Sequence, residues 1–141
     1  MKSFSLFVLL GFATFLGCNS GPERPPTVPA EGVVTLDGQP VSEAAVIFIA
    51  DVGSYNASGI TDKNGTFKLK AFEEKAGAVP GSYKVEITKT IIEQTTTKAG
   101  ESGANVKYGI PVKYASMATS DFAIKLSDKG DKEIKFDLKS K

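Results

Sequence analysis

Residues 31–70 read EGVVTLDGQPVSEAAVIFIADVGSYNASGITDKNGTFKLK, and this segment predicts the class of the whole chain. Its first apolar stretch, Val33–Leu36, is β-branched and is followed by Asp37-Gly38, a pair suited to a tight turn. The run Ala44–Ala50 is too short for a helix and is bounded by turn-forming residues. Phe67 and Leu69 then alternate with polar residues, as in a strand with one buried face. The segment is therefore predicted to be an antiparallel β meander.

Later stretches continue the same pattern. Ser82–Lys89 alternates apolar and polar residues cleanly, and so does the segment that contains Phe122, Ile124 and Leu126. The last strand is predicted to bury Ile134, Phe136 and Leu138, after a turn at Asp128–Asp131. Seven strands with turn signals every 8 to 12 residues predict an all-β chain, a single antiparallel seven-stranded Greek-key β-sandwich.

Three connecting segments lack this alternation. Ala71–Val79 is predicted to be a loop, with room for one helical turn at its acidic centre. Ile91–Lys107 is polar and is interpreted as a long excursion, either functional or disordered, with disorder favoured. Tyr108–Ala118 is too apolar to be loose, and we expect it to pack across one end of the sandwich.

The N-terminus has the pattern of a secretion signal. Lys2 supplies the positive start, Phe4–Leu16 is apolar apart from small residues, and Gly17 precedes Cys18. The run is shorter than the length needed to span a membrane. Residues 1–17 are therefore predicted to be a signal peptide, residues 18–30 a proline-rich tether, and residues 31–141 the folded domain.

The end of that signal, Phe15-Leu16-Gly17-Cys18, resembles a bacterial lipobox. The resemblance implies that Cys18 is lipidated and becomes the new N-terminus, which would anchor the protein to a membrane. By the same resemblance, Asn19 favours the outer membrane over the inner one. The alternative is a plain secretory signal with an incidental cysteine. The localisation expected is extracytoplasmic, as a membrane-anchored lipoprotein.

Composition excludes several kinds of chemistry. The chain has no histidine and one cysteine, so Ser-His-Asp and Cys-His mechanisms, and zinc or copper sites built on imidazole or thiolate, are not expected. Loss of Lys2 with the signal leaves 16 basic residues against 16 acidic ones, and a neutral surface is not expected to bind nucleic acid. Asp62–Gly65 partly matches the start of a calcium loop, but a strand follows it, so we interpret it as a turn. No cofactor, metal ion or catalytic residue is predicted.

Ile47 and Ile49 are the candidate contact residues. If Val46 and Phe48 face the core, these two isoleucines point to the opposite face of the strand and leave an apolar strip there. Either the Ile91 or Ile110 region covers them, which we favour, or they form a contact surface for another protein.

The order of the motifs resembles a known domain family. GVVTLDGQPVSEAAVIFIA (32–50), SGITDKNGTFKL (58–69) and PGSYKVEITK (80–89) together resemble the carboxypeptidase regulatory-like domain. The segments IPVKYASMATSDFAIKL (110–126) and EIKFDL (133–138) resemble the C-terminal half of small bacterial lipoproteins that carry it. The resemblance implies a transthyretin-like (prealbumin-like) sandwich and a non-catalytic accessory, adhesion or binding role.

We therefore expect a lipid-anchored, non-enzymatic module of the cell envelope that binds protein or carbohydrate by surface contact. The alternatives are a structural component that self-associates through its sheet edges, and an accessory domain that delivers substrate to another enzyme. A hydrolytic function would need a pocket with convergent polar groups.

Overall fold

The computed structural model describes residues 23–53, 55–96 and 102–141. The predicted signal peptide and residues 18–22 of the predicted tether, which include Cys18, lie outside these residues. Strands make up most of what is described, and the one helix found there is the 3₁₀ helix Val112–Ala115. The strands are β1 (Ala30–Leu36), β2 (Gln39–Pro40), β3 (Ala45–Ala50), β4 (Ala57–Ile60), β5 (Thr66–Lys68), β6 (Lys70–Phe72), β7 (Lys75–Ala76), β8 (Gly81–Thr88), β9 (Thr90–Thr96), β10 (Ser102–Tyr108), β11 (Ala123–Leu126) and β12 (Asp131–Leu138). The prediction of an all-β chain is confirmed.

The smaller of the two main sheets is built on β1. In this sheet β1 pairs with β12, β2 and β5. The pairing of β1 with β12 is parallel and places Gly32 beside Ile134 and Val34 beside Phe136. The expectation of a wholly antiparallel sandwich is therefore wrong at this pair. A parallel pair needs a long crossover, and here the whole domain between the first and last strands supplies it.

The larger sheet has the order β11-β8-β3-β4-β6-β7, and its strand pairs are antiparallel. Strand β8 lies between β11 and β3, and its alternation is regular: Tyr83, Val85 and Ile87 are buried, and the residues between them are less so. Strand β3 follows the same rule, with Val46 and Phe48 fully buried.

The core lies between these two sheets. Phe136 of β12 meets Phe48 of β3, Phe67 of β5 and Phe122, at ring-centroid distances of 6.1, 5.9 and 5.0 Å. Phe48 also packs against Tyr83, at 5.5 Å. Aromatic side chains thus join the two sheets face to face, as in a β-sandwich.

Two turns have the backbone conformations and hydrogen bonds that their residue types favour. Asp37 and Gly38 both have positive φ, 49° and 85°, as a two-residue hairpin turn between β1 and β2 requires. In the next turn the Asp62 carboxylate accepts hydrogen bonds from the backbone N–H groups of Asn64 and Thr66, at 2.8 and 2.9 Å. That side chain holds the turn, as the sequence interpretation of this segment expected.

Two connections differ from prediction. Within 71–79 there is no helical turn; β6 and β7 form a small hairpin there, with Phe72 paired to Lys75. The segment 91–107, for which disorder was favoured, contains β9 and β10, which pair antiparallel from Thr90–Tyr108 to Thr96–Ser102. Thr, Ile and Val at these positions are good strand formers, and this signal outweighs the polar composition. We call β9 and β10 together the hairpin arm.

The N-terminal segment and the hairpin arm leave from opposite ends of the sandwich. Val28 exchanges backbone hydrogen bonds with Ala78, just before β8 begins, and the N–H of Asp131, where β12 begins, donates to the Pro29 carbonyl. The arm starts beyond the other end of β8, where the Gly109 N–H donates to the Lys89 carbonyl at 2.8 Å. Eight strand residues separate the two ends, roughly 25 Å.

The segment after the arm closes that second end. Ile110 and Tyr114 are buried, and the Tyr114 ring stacks on Phe122 at 5.4 Å. The Tyr114 hydroxyl accepts a hydrogen bond from the Lys139 N–H, just past β12. Packing of residues 108–118 across one end of the sandwich was expected and is confirmed.

Candidate contact surface

Ile47 and Ile49 lie on the outer face of the larger sheet. Both are half-buried, while Val46 and Phe48 point inward. Their cross-strand neighbours on β8 are Glu86 and Lys84 respectively. The predicted division of β3 into two faces is confirmed, and it leaves two isoleucines among solvated polar groups.

A third isoleucine extends this patch. Ile60 pairs with Ala45 on the outer face of β3, two residues before Ile47, and is 71% exposed. We call Ile47, Ile49 and Ile60 the outer strip. Ile60 was not among the predicted contact residues, which were Ile47 and Ile49. The alternation of Ala57, Gly59 and Thr61 with Ser58 and Ile60 was the signal that could have found it.

The expected cover over the outer strip is partial. Ile110 is in the core and does not lie over the strip as an exposed flap. The turn that follows the 3₁₀ helix lies beside β8, where the Met117 N–H donates to the Glu86 carboxylate at 2.7 Å. This contact borders the strip on one side, and Ile60 stays open on the other.

The hairpin arm carries the second apolar surface. Its strands are exposed along their whole length. Ile92 and Val106 face each other across the two strands, and Tyr108 lies next to Val106 on the same face; the exposed fractions are 67, 57 and 58%. The opposite face carries Glu93 and Lys107, which form an ion pair at 2.7 Å. The arm is therefore amphipathic without a layer of the sandwich packed on its apolar face.

The buried polar side chains of the described residues are engaged in structural hydrogen bonds. The Ser120 hydroxyl donates to the Val85 carbonyl at 2.6 Å, and the Thr61 hydroxyl accepts from the Ala44 N–H at 2.8 Å. The Tyr83 hydroxyl donates to the Val79 carbonyl, and burial raises the pKa of this phenol. Each of these groups fixes a loop or an edge of the sandwich.

In the described residues, the surface grooves do not bring buried polar side chains of this kind together. One of about 330 Å³ runs over β1, β5 and β12. Glu31 in its wall forms an ion pair with Lys68 at 3.4 Å, and Lys132, Glu133 and Lys135 are exposed. Within the described part of the chain, no three carboxylate or other metal-ligating side chains cluster as an ion site would require.

One carboxylate, at the end of the sandwich from which the hairpin arm leaves, has a shifted pKa. Hydrogen bonds from the Ser140 side chain and then from its backbone N–H lower the pKa of Asp37. The backbone contact is 3.3 Å long, and the Asp37 N–H in turn donates to the Leu138 carbonyl. This group ties the C-terminus to the first turn.

Cys18, the predicted lipidation site, is outside the described residues. Among the residues that are described, no helix combines the length and the apolar character needed to cross a membrane.

Comparison with known proteins adds little. No family model matches the chain, and no curated protein matches it. Among solved structures, a 9R-lipoxygenase from Cyanothece PCC8801 is similar over 85% of this chain at 15% identity, with a TM-score of 0.33. The chain spans 18% of the length of that enzyme. A TM-score this low carries no argument about fold or function.

Proposed function

We propose that this protein is a lipid-anchored, non-enzymatic module of the cell envelope that binds a protein or a carbohydrate by surface contact. The observation that carries the proposal is the placement of the N-terminal segment and the apolar surfaces. The chain enters the sandwich at one end, and the hairpin arm leaves from the other. A tether on Cys18 would hold the entry end near the membrane and turn the arm outward.

The anchor rests on the lipobox-like Phe15–Cys18 and on the proline-rich segment after it. Part of that segment packs on the domain: Arg24 forms an ion pair with Glu74 at 3.1 Å and lies over the Phe72 ring. The free length of the tether is therefore shorter than residues 18–30 imply. The outer membrane is the proposed location, because in the lipobox resemblance Asn19 after Cys18 favours the outer membrane over the inner one.

The fold proposed is the seven-stranded Greek-key sandwich of the carboxypeptidase regulatory-like, transthyretin-like family. Support comes from the seven strands that make up most of the two facing sheets, β1, β3, β4, β5, β8, β11 and β12. In this interpretation the hairpin arm and the short strands β2, β6 and β7 are additions to that core. Domains of this kind are mostly accessory modules, which agrees with a contact function.

A non-enzymatic function is supported by the side chains available. The chain has no histidine, and the buried hydroxyls of Ser120 and Thr61 are bonded to the backbone. A hydrolase would need a nucleophile with a base and a group that stabilises developing charge. Turnover of peptide, ester or glycoside substrates by the purified protein, lost on changing one Ser or Asp, would contradict the proposal.

The contact surface is tested by crosslinking in cells that express the full chain. A photoreactive residue replaces Ile60 in the outer strip, and in a matched control it replaces Lys135, exposed on the outer face of the other sheet. We expect a discrete captured species from position 60 and none from position 135. Equal capture from both positions, or none from position 60, would refute the assignment of the outer strip.

A further inference from the structure

Strand β9 has an open edge that is less protected than the free side of β12. In a folded protein, exposed strand edges are normally guarded by charge or by shortness. The free side of β12 is protected by charged residues, namely Asp131, Lys132, Glu133, Lys135 and Asp137. The edge strand β11 is protected by its shortness, since it has four residues. Strand β9, TIIEQTT, has seven residues, one charge and no proline.

The alternation of hydrogen-bonded pairs along the arm shows which backbone N–H and C=O groups face the open edge of β9. Because the Gly109 N–H donates to the Lys89 carbonyl, Lys89 and Gly109 are a hydrogen-bonded pair. The register continues without a break to Thr96–Ser102. Bonded pairs alternate along an antiparallel ladder, so Ile91, Glu93 and Thr95 bond to β10. The N–H and C=O groups of Thr90, Ile92, Gln94 and Thr96 therefore point to the open edge.

The same four residues carry the uncharged face of β9. Across the arm, Ile92 lies opposite Val106, and the ion pair of Glu93 with Lys107 is on the other face. Open backbone groups and the exposed Ile92 side chain thus coincide on one strand. A two-stranded hairpin is only marginally stable in water, and added strands would stabilise it.

We propose that this edge is a self-association site, at which β9 of a second copy of this chain adds antiparallel about a two-fold axis at Ile92. In this register Ile92 lies opposite the Ile92 of the second copy, and Thr90 lies opposite Gln94. Glu93 lies opposite Ile91. A register centred on Glu93 would place two like charges directly opposite each other, which is destabilising.

The proposed pairing is self-complementary, as a two-fold interface must be. It forms one apolar row across four strands, in the order Val106, Ile92, Ile92 and Val106. The edge residues are uncharged, and the whole chain has a net charge of +1, so little repulsion opposes the approach. A strongly basic or acidic partner would find no complementary charge on this edge, which favours a second copy.

The contact is small, because each copy contributes one seven-residue strand and its neighbour. Its area is below the 1,200 Å² or so of a stable complex. A weak dimer that forms with rising concentration is expected, rather than an obligate one. The proposal goes beyond the contact function above and does not depend on lipidation at Cys18.

The test uses the full chain, purified in detergent, with a photoreactive residue in place of Ile92. Equal amounts of isotopically light and heavy protein are mixed and irradiated over a range of concentrations. We expect a crosslinked species of twice the monomer mass that contains light–heavy pairs. The crosslinks should join position 92 to residues 90–94 of the other copy, and their yield should rise with concentration.

Two variants separate edge pairing from association through other parts of the chain. Gln94→Pro removes an edge N–H and keeps the bonds to β10, since Gln94 does not bond to that strand. Gln94→Lys keeps the backbone and adds a charge at the edge, which covers the case in which proline melts the arm. Each should lower the dimer yield at least tenfold, while Asn105→Ala, on the polar face, should leave it within twofold. A monomer at all concentrations, or a dimer that both Gln94 variants retain, would overturn the proposal.

Discussion

Phe48 and Phe136 meet edge to face across the two sheets, with 6.1 Å between their ring centroids and 78° between their planes. The two residues lie on strands from opposite halves of the chain, and both are buried. Phe136 also contacts Phe67 and Phe122, so it is the residue through which most of the core aromatics are connected. Stability of the sandwich should therefore depend on this side chain.

Phe136→Ala is expected to lower the free energy of unfolding by about 3–5 kcal/mol, because it removes a buried ring and leaves a cavity. Lys135→Ala, one residue away on the exposed face, should change it by less than about 0.5 kcal/mol. Equilibrium unfolding in urea measures both. Equal losses from the two variants would mean that the final strand does not pack as described.

Gly32→Ala tests the parallel pairing of the first and last strands. A Cβ at Gly32 would lie 2.2 Å from the Ile134 carbonyl oxygen, so β1 and β12 would have to separate locally. We expect a loss of about 1–3 kcal/mol in the free energy of unfolding. Glu31→Ala, which removes an exposed ion pair with Lys68, should cost at most about 1 kcal/mol. A Gly32→Ala protein as stable as the wild type would show that these strands are not in contact at this register.

The acidity of Asp37 reports on the docking of the C-terminus. Hydrogen bonds from Ser140 lower the pKa of Asp37, so the ionised form is favoured in the folded state. This contribution to stability is present above the ordinary carboxyl pKa of about 4, and it is lost as the pH falls through the lowered folded pKa. In an NMR titration, Ser140→Ala should move the pKa of Asp37 toward its ordinary value, and Lys141→Ala should not. An unchanged Asp37 titration in Ser140→Ala would rule out this cause.

Shortening the hairpin arm should leave the sandwich intact. If Asn-Gly replaces residues 96–102, Thr95 and Gly103, a hydrogen-bonded pair of the arm, are joined by a tight turn. Because the arm strands are exposed throughout, we expect the Tm to change by less than about 2 °C. Differential scanning calorimetry measures the shift. A fall of 10 °C or more would show that the arm stabilises the core.

Local alternation made the sandwich strands predictable from sequence. Tyr83, Val85 and Ile87 repeat every second residue, and their burial follows directly. The parallel contact of β1 with β12 could not be predicted in this way, since it joins residues about 100 positions apart and has no local signature. The Asp37-Gly38 turn was predictable because few residue pairs tolerate two positive φ angles.

The candidate site was predictable in part. The outward direction of Ile47 and Ile49 followed from the periodicity of β3, but Ile60 required knowledge of which strand lies beside it. The hairpin arm was missed because threonine, glutamine and glycine are also typical of loops. Its strands are defined by their pairing with each other, and pairing partners are not visible in the composition of either strand.

Capture from position 60, with and without the anchor, tests most directly the claim that this is a lipid-anchored contact module. Cells express the full chain with a photoreactive residue at Ile60, either with Cys18 or with Cys18→Ala, and both grow with a clickable fatty acid. We predict that the Cys18 protein takes up the label and captures a discrete species, and that Cys18→Ala loses the label and most of the capture. Equal labelling of both proteins would contradict the anchor, and absence of capture from the labelled protein would contradict the contact function.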